Sequence, residues 1–271
     1  MNRFTGAVKE YLLDRKFALL AMGALVGLLS FSIILMVDGL DMQQIQNVLA
    51  QFPEELFYFL GADPTELGSP YGFLSLEFLS FMWLYAGIYI VYIASSLIPQ
   101  EVEEKTIELA LSKPITRSSF LGSKITFLFT FILGIMGVTF LIATAGVANS
   151  QVFLEAGLHL DRLWATFGVI VLFLGALAMI AIFFSTILLN TKRSLTFGIA
   201  VFFLMYFLAA FYPYIGDIAK YVSVFSYFNP SEYLVHGNST VLIRDLAVLG
   251  AVNAALIISS LIVFSRRDIP V

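Results

Sequence analysis

The sequence predicts an all-α membrane protein with six spanning helices. Hydrophobic residues make up 59% of the 271-residue chain, whereas soluble domains contain about 45–50%. Charged residues make up 13%, against about 25% in soluble domains. The apolar residues are gathered into long uncharged runs, and a helix needs about 20 such residues to cross a hydrocarbon core about 30 Å thick. We therefore expect lipid to be the solvent and residues 1–271 to form a single transmembrane domain.

Six runs contain no Asp, Glu, Lys, Arg or His. They are residues 17–37, 78–98, 125–147, 163–189, 195–212 and 246–264. One charged side chain near the centre of a spanning helix costs roughly 2.5–3.5 kcal/mol on insertion scales, so uninterrupted runs are typical of spans. The fifth run is the shortest of the six.

The basic residues indicate the orientation of these spans. All but three of the fifteen Lys and Arg residues lie in the N-terminal segment, after the second run, after the fourth run or in the C-terminal tail; the three exceptions are Arg162, Lys220 and Arg244. The opposite first loop, from Asp38 to Glu77, contains seven acids and no base. By the positive-inside rule, both termini are predicted to be cytoplasmic.

Two shorter elements are predicted beside the spans. In residues 1–16, Phe4, Val8, Tyr11 and Leu12 recur at helical spacing with charged residues between them, which is typical of an interfacial helix. The alternative is a frayed polar terminus. Before the sixth run, the stretch from Pro213 to Asp245 has apolar residues at helical spacing, which favours a re-entrant pair of outer half-helices.

The segment of residues 100–124 has the clearest local pattern. Acidic residues occupy the start of a predicted helix, where the helix dipole favours them, and Pro114 ends it. Thr116 or Ser118 can then cap a new helix that runs through Lys124 into the third span. A charged helix at the membrane surface is one reading of the pattern, and a solvated loop is the other.

This segment resembles the signature of type-2 ABC exporter permeases. In that family an acidic stretch precedes a Gly-Thr pair, a Leu-rich stretch, Ser-x-Pro-x-x-Arg and Gly-x-Lys. The matching residues here are Glu101, Glu103, Thr106, Glu108, Leu109, Leu111, Ser112, Pro114, Arg117, Gly122 and Lys124. Lys105 stands where the family has glycine. The order of interfacial helix, six spans, coupling segment and outer half-helices is also similar to the family.

The resemblance implies a multi-pass permease subunit in the plasma membrane. Because the family it resembles is one of exporters, it also implies that the cargo moves outward. It implies two cytoplasmic ABC ATPase subunits, which bind ATP and magnesium, and a second permease subunit that is either identical or different. The chain itself would be no enzyme and would hold no cofactor or metal. The residues expected to contact the ATPase are Glu101, Glu103, Thr106, Glu108, Arg117, Lys192 and Arg193.

Other functions find less support in the residues. The chain has no Gly-x-x-x-x-Gly-Lys-Ser/Thr loop, so ATP hydrolysis has to come from another polypeptide. It has no cysteine, and its net charge of −4 does not favour nucleic-acid binding. Two alternatives remain: a membrane scaffold or sensor subunit, and a secondary transporter, which usually has ionisable groups inside its spans. Gly23 and Gly27 form a Gly-x-x-x-Gly pair that permits close packing, either within the bundle or between two subunits.

Overall fold

The computed structural model describes residues 3–40, 47–48, 51–53, 68–106 and 116–267. Within these ranges the chain is helical and contains no strand. The helices in chain order are α1 (Arg3–Asp14), α2 (Lys16–Asp38), α3 (Pro70–Glu103), α4 (Arg117–Asn149), α5 (Gln151–Glu155), α6 (Leu160–Leu188), α7 (Thr191–Ile215), α8 (Asp217–Val222), α9 (Pro230–Leu234) and α10 (Ser239–Arg266).

Six of the described helices are long and apolar enough to cross a membrane. They are α2, α3, α4, α6, α7 and α10. Five of them contain a predicted run completely, and α6 contains the fourth run except its last residue, Leu189. This confirms the predicted fold class, an all-α polytopic membrane protein. The fifth run, the shortest in the sequence, extends at both ends into the 25-residue helix α7.

Helix α3 is longer than the hydrophobic run that predicts it. It begins at Pro70, not at Phe78, so Glu77 belongs to the helix and not to the outer loop. Ser69 caps its start by accepting a hydrogen bond from the Gly72 N–H at 2.9 Å, and Pro70 occupies the first turn, where its missing N–H has no cost. The helix includes two π-helical stretches, Ser75–Leu79 and Trp83–Gly87.

Polar side chains define the starts of three other spanning helices. Thr116, one of the two caps that the sequence allows, accepts from the Ser119 N–H at 3.2 Å and caps α4. Asn190 accepts from the Arg193 N–H at 3.0 Å at the start of α7, and Asn238 accepts from the Val241 N–H at 3.3 Å at the start of α10. Each side chain satisfies one of the backbone donors that a helix start leaves unpaired.

Helix α2 packs closely on α4 through the glycine pair. A Cβ atom on Gly23 would lie 2.9 Å from the Ile135 carbonyl oxygen, and one on Gly27 would lie 2.6 Å from Ile142 Cδ1. Thr139 also donates a hydrogen bond to the Gly23 carbonyl at 3.2 Å. The structure therefore places both glycines at a helix contact inside the chain, where small residues let two backbones approach.

The chain between α7 and α10 folds back into the bundle. Ser223 donates to the carbonyl of Met205 at 2.5 Å, well before the end of α7. Phe228 stacks on Phe173, near the middle of α6, with 4.6 Å between the ring centroids. Phe225 packs on the same ring at 5.1 Å. Residues 223–228 therefore pack between α6 and α7, as the predicted outer re-entrant half-helices would.

Candidate functional site

The helix ends that carry most of the basic residues meet on one face of the bundle. Side-chain contacts connect α1 to the end of α3, the end of α3 to the starts of α4 and α7, and the start of α4 to the end of α10. The opposite helix ends are joined by other contacts, such as the hydrogen bond from Ser150 at the end of α4 to Asp38 at the end of α2, at 2.5 Å. The candidate site lies on the first face, around the end of α3.

Glu101 and Lys124 form a buried ion pair between α3 and α4. The Lys124 side chain is 1% exposed and the Glu101 side chain 18% exposed. The Lys124 Nζ donates to Glu101 Oε1 and also lies 4.0 Å from the centroid of the Tyr11 ring. A buried ammonium group is costly unless a carboxylate and further favourable contacts compensate for its lost hydration. The pair therefore fixes the end of α3 against the first turns of α4.

Tyr11 brings the N-terminal helix α1 into the same contact. Its hydroxyl donates to Glu101 Oε1 at 2.9 Å, and its ring packs on Phe127 with 5.7 Å between centroids. Burial raises the pKa of the Tyr11 hydroxyl above its ordinary value, and the nearby Glu101 carboxylate raises it further. The hydroxyl therefore stays protonated and remains a donor throughout the physiological pH range.

Glu103 connects α3 to the start of α7. Its carboxylate accepts three hydrogen bonds: from Asn190 Nδ2 at 2.8 Å, from the Thr191 N–H at 3.0 Å and from Thr191 Oγ1 at 2.7 Å. An anion is favoured at this position because the N-terminus of a helix carries a partial positive charge and unpaired N–H groups. The chain can make this contact because Leu189, at φ 47°, turns sharply between α6 and α7.

Lys105 ends α3 in a left-handed conformation, with φ 57°. Its N–H donates to the Val102 carbonyl at 3.2 Å, and the next residue, Thr106, donates from Oγ1 to the Glu101 carbonyl at 3.3 Å. A left-handed residue after a helix is usually glycine, because glycine has no Cβ to clash. Glycine, which the permease signature has at the position of Lys105, would adopt this conformation without that clash.

Three of the remaining predicted contact residues lie on the same face of the bundle. Arg117 donates from Nη1 to the Arg267 carbonyl at 2.5 Å, which joins the start of α4 to the end of α10. Lys192 and Arg193 are exposed in the first turn of α7. Glu108 lies outside the described residues. The structure thus gives Glu101, Glu103 and Arg117 partners within the chain and leaves the side chains of Lys192 and Arg193 facing outward.

Sequence reasoning did not identify the partners of the two glutamates. Lys124 was matched to the signature without a structural role, and Tyr11 was assigned only to the apolar face of α1. Asn190 and Thr191 lie between the fourth and fifth hydrophobic runs, and the sequence predicted no contact for them. The Asn-Thr pair just before an apolar run is a helix-start signal that could have identified the acceptor site for an acid.

Asp245 is a second residue that the sequence pattern misplaced. It lies just before the sixth hydrophobic run, but the structure places it fully buried inside α10. Its carboxylate accepts from the Tyr233 hydroxyl, from Asn229 Nδ2 at 3.0 Å and from Arg244 Nε at 2.7 Å. These contacts hold the segment before α10 to that helix, on the face of the bundle opposite the candidate site.

The described residues contain no group of three or more His, Cys, Asp or Glu side chains that could hold a metal ion. The polar groups around the end of α3 join helices to one another. Their arrangement suits the transmission of a displacement from the end of α3 to α1, α4 and α7.

Comparison with known proteins identifies the family. No curated protein gave a match. A family model described as "ABC-2 family transporter protein" matches residues 10–269, which include the candidate site and all six long helices. The chain therefore belongs to the ABC-2 family of transporter proteins, as a multi-pass membrane permease subunit.

Proposed function

We propose that this permease subunit forms the substrate path of an ABC exporter and is driven by cytoplasmic ABC ATPase subunits that dock beside the end of α3. Two ATPase subunits bind ATP and magnesium, and a second permease subunit, identical or different, completes the path. The subunit lies in the plasma membrane with both termini in the cytoplasm, because the positive-inside rule assigns the basic face to that side.

The observation that carries the proposal is the pair of glutamates at the end of α3. Glu101 contacts α1 and α4, and Glu103 contacts α7, so one short stretch joins three other helices. A force applied to the segment that follows α3 reaches all of them through charged or hydrogen-bonded contacts. Packed helices respond to such a force by moving as units, because well-packed contacts deform little.

We assign two roles to the candidate contact residues. Thr106, Glu108, Lys192 and Arg193 form the surface that the ATPase contacts. Glu101, Glu103 and Arg117 lie at the same interface and transmit its movement into the helices. Both roles place the coupling interface within residues 100–124 and the first turn of α7.

These two roles can be tested by following an ATP-dependent movement at α8, on the face of the bundle opposite the coupling interface. The chain has no cysteine, so Ile218→Cys provides a single attachment point for an environment-sensitive fluorophore. Ile218 is 80% exposed and lies in α8, far along the chain from the coupling interface. In the complex purified with its ATPase, we expect ATP and magnesium to change the fluorescence.

Two sets of variants distinguish docking from transmission. Lys192→Glu with Arg193→Glu removes the ATPase from the purified complex. Glu101→Gln with Glu103→Gln retains the ATPase but abolishes the ATP-dependent fluorescence change. Arg266→Gln, which removes an exposed charge at the end of α10, serves as the control. A full fluorescence change in the Glu101→Gln, Glu103→Gln complex would contradict the transmission role.

The scaffold alternative makes different predictions. A scaffold or sensor subunit would purify without an ABC ATPase, and ATP would produce no movement at position 218. Family membership favours the transporter, since the matched family model is that of a transport protein.

A further inference from the structure

An apolar groove of about 570 Å³ lies between α1, the start of α2 and α4. This volume is within the ~300–1,000 Å³ range of small-molecule sites. Aliphatic side chains form much of its wall, and Leu19 of α2 packs directly on Gly134 of α4, where an added Cβ would lie 2.6 Å from Leu19 Cδ1. The groove does not overlap the Glu101–Lys124 contact. The residues that line it include Lys9, Leu12, Lys16, Leu19, Leu20 and Thr130.

One of the two threonines that α4 contributes to the wall has its hydroxyl bonded within the helix. Thr130, which is exposed along the groove, donates its hydroxyl to the Thr126 carbonyl at 2.8 Å. Its methyl group is therefore the part available to an occupant. Leu13 and Leu20 are also exposed, although both are large apolar residues. A polar ligand would gain few hydrogen bonds from such walls, whereas a hydrocarbon chain would bury apolar surface against them.

Two exposed lysines give the groove positive charge. Lys9 on α1 and Lys16 at the start of α2 both line it, and both side chains are exposed. Neither forms an ion pair in the part of the chain that the structure describes; Lys16 Nζ lies 5.2 Å from the centroid of the Phe17 ring. Two ammonium groups beside an apolar channel match a molecule with an anionic head and a hydrocarbon tail.

We propose that this groove binds one anionic glycerophospholipid from the leaflet that contacts α1. An acyl chain lies between α1 and α4, along Leu12, Leu19 and Thr130, and Lys9 and Lys16 bind the phosphate. The apolar walls supply affinity for any phospholipid, and the two lysines supply the preference for a net negative headgroup. The bound lipid fills the space between α1 and α4 beside the coupling interface.

Native mass spectrometry of the full-length chain in detergent tests this proposal directly. The purified protein is titrated separately with phosphatidylglycerol and phosphatidylcholine that have the same acyl chains. We expect one phosphatidylglycerol to be retained at low lipid concentration, with phosphatidylcholine bound more weakly. Each basic side chain near an anionic surface contributes about 1 kcal/mol, so Lys9→Gln with Lys16→Gln should weaken phosphatidylglycerol binding about 30-fold and leave phosphatidylcholine binding nearly unchanged.

A matched variant separates the groove from general basic charge. Arg266→Gln with Arg267→Gln removes two exposed charges from the same face of the bundle and should retain the phosphatidylglycerol preference. Thr130→Trp leaves both lysines in place and fills the groove, so it should reduce the binding of both lipids.

Three results would overturn the proposal. One is an unchanged phosphatidylglycerol preference in the double lysine variant. Another is an equal loss in the double arginine variant, which would indicate nonspecific charge attraction. The third is full lipid retention in the Thr130→Trp variant, since an acyl chain and an indole ring cannot occupy the same groove. Because the assay uses the permease without ATP or ATPase, its result is independent of the proposed coupling.

Discussion

The ion pair between Glu101 and Lys124 gives a quantitative prediction about stability. Removing one partner of a buried ion pair costs about 3–5 kcal/mol, because the other charge remains without compensation. The Glu101 side chain is 18% exposed, so some water reaches the pair, and we expect Glu101→Gln to cost about 3 kcal/mol, the lower end of that range. Lys124→Met should cost less, about 1.5 kcal/mol, because Glu101 retains the hydrogen bond from Tyr11 and partial hydration.

The double variant provides the critical comparison. With Glu101→Gln and Lys124→Met together, no charge remains buried, and replacing a buried pair by neutral groups is often close to neutral. We therefore expect the double variant to lie within about 1 kcal/mol of the original chain, which is a coupling of at least about 3.5 kcal/mol.

The free energy of unfolding in mixed micelles measures these differences. It can be obtained by titrating the purified chain with sodium dodecyl sulfate and following the loss of helical circular dichroism. Lys192→Met is the matched control, because Lys192 is exposed and its loss should change the unfolding free energy by no more than about 0.5 kcal/mol. If the two single effects add to within about 0.5 kcal/mol in the double variant, the buried pair does not exist as described.

Three further substitutions test other parts of the structure by the same unfolding titration. Lys105→Gly should stabilise the chain by about 1 kcal/mol, because glycine adopts the left-handed conformation without a steric cost; a loss of stability would refute the turn. Gly23→Val should lower the free energy of unfolding by about 2 kcal/mol or more, because it forces α2 away from α4. Gly168→Ala is the control and should be neutral or favourable, because there is open space around the added methyl group. Equal effects of the two substitutions would contradict the close helix contact. Asp245→Ala should lower the free energy of unfolding by about 2 kcal/mol or more, because it leaves buried donors unpaired, and it should increase protease cleavage between α7 and α10. Tyr233→Phe should have a smaller effect in the same direction. Unchanged cleavage in both variants would refute the contact.

The sequence predicted the spans well because their signal is strong and local. A run such as residues 163–189 is uncharged over its whole length, and helix α6 coincides with it within three residues at its start. The cap at Thr116 was also predictable, because it depends on a few adjacent residues.

The contacts between helices were not predictable in the same way. Glu101 and Lys124 are separated by a stretch that includes a helix end and a new helix start, and Glu103 lies 87 residues from Asn190 along the chain. Hydrophobic patterns contain no information about which charged groups meet across such separations. The sequence assigned Glu77 to the first loop and Asp245 to the stretch before the sixth run for a related reason. A hydropathy boundary marks where charge begins, whereas the helix itself continues until its backbone groups find other partners.

The assignment of ATPase docking residues stays a prediction that direct contact mapping can decide. A photo-crosslinking amino acid placed at position 106 or 192 of the full-length chain, in its native membrane, reports which protein lies beside that position. The same amino acid placed at position 218, which is exposed in α8, is the control for the opposite face. We expect crosslinks to an ABC ATPase subunit from positions 106 and 192 and none from position 218. An ATPase crosslinked from position 218, or no ATPase crosslinked from either of the other two positions, would contradict coupling at the end of α3.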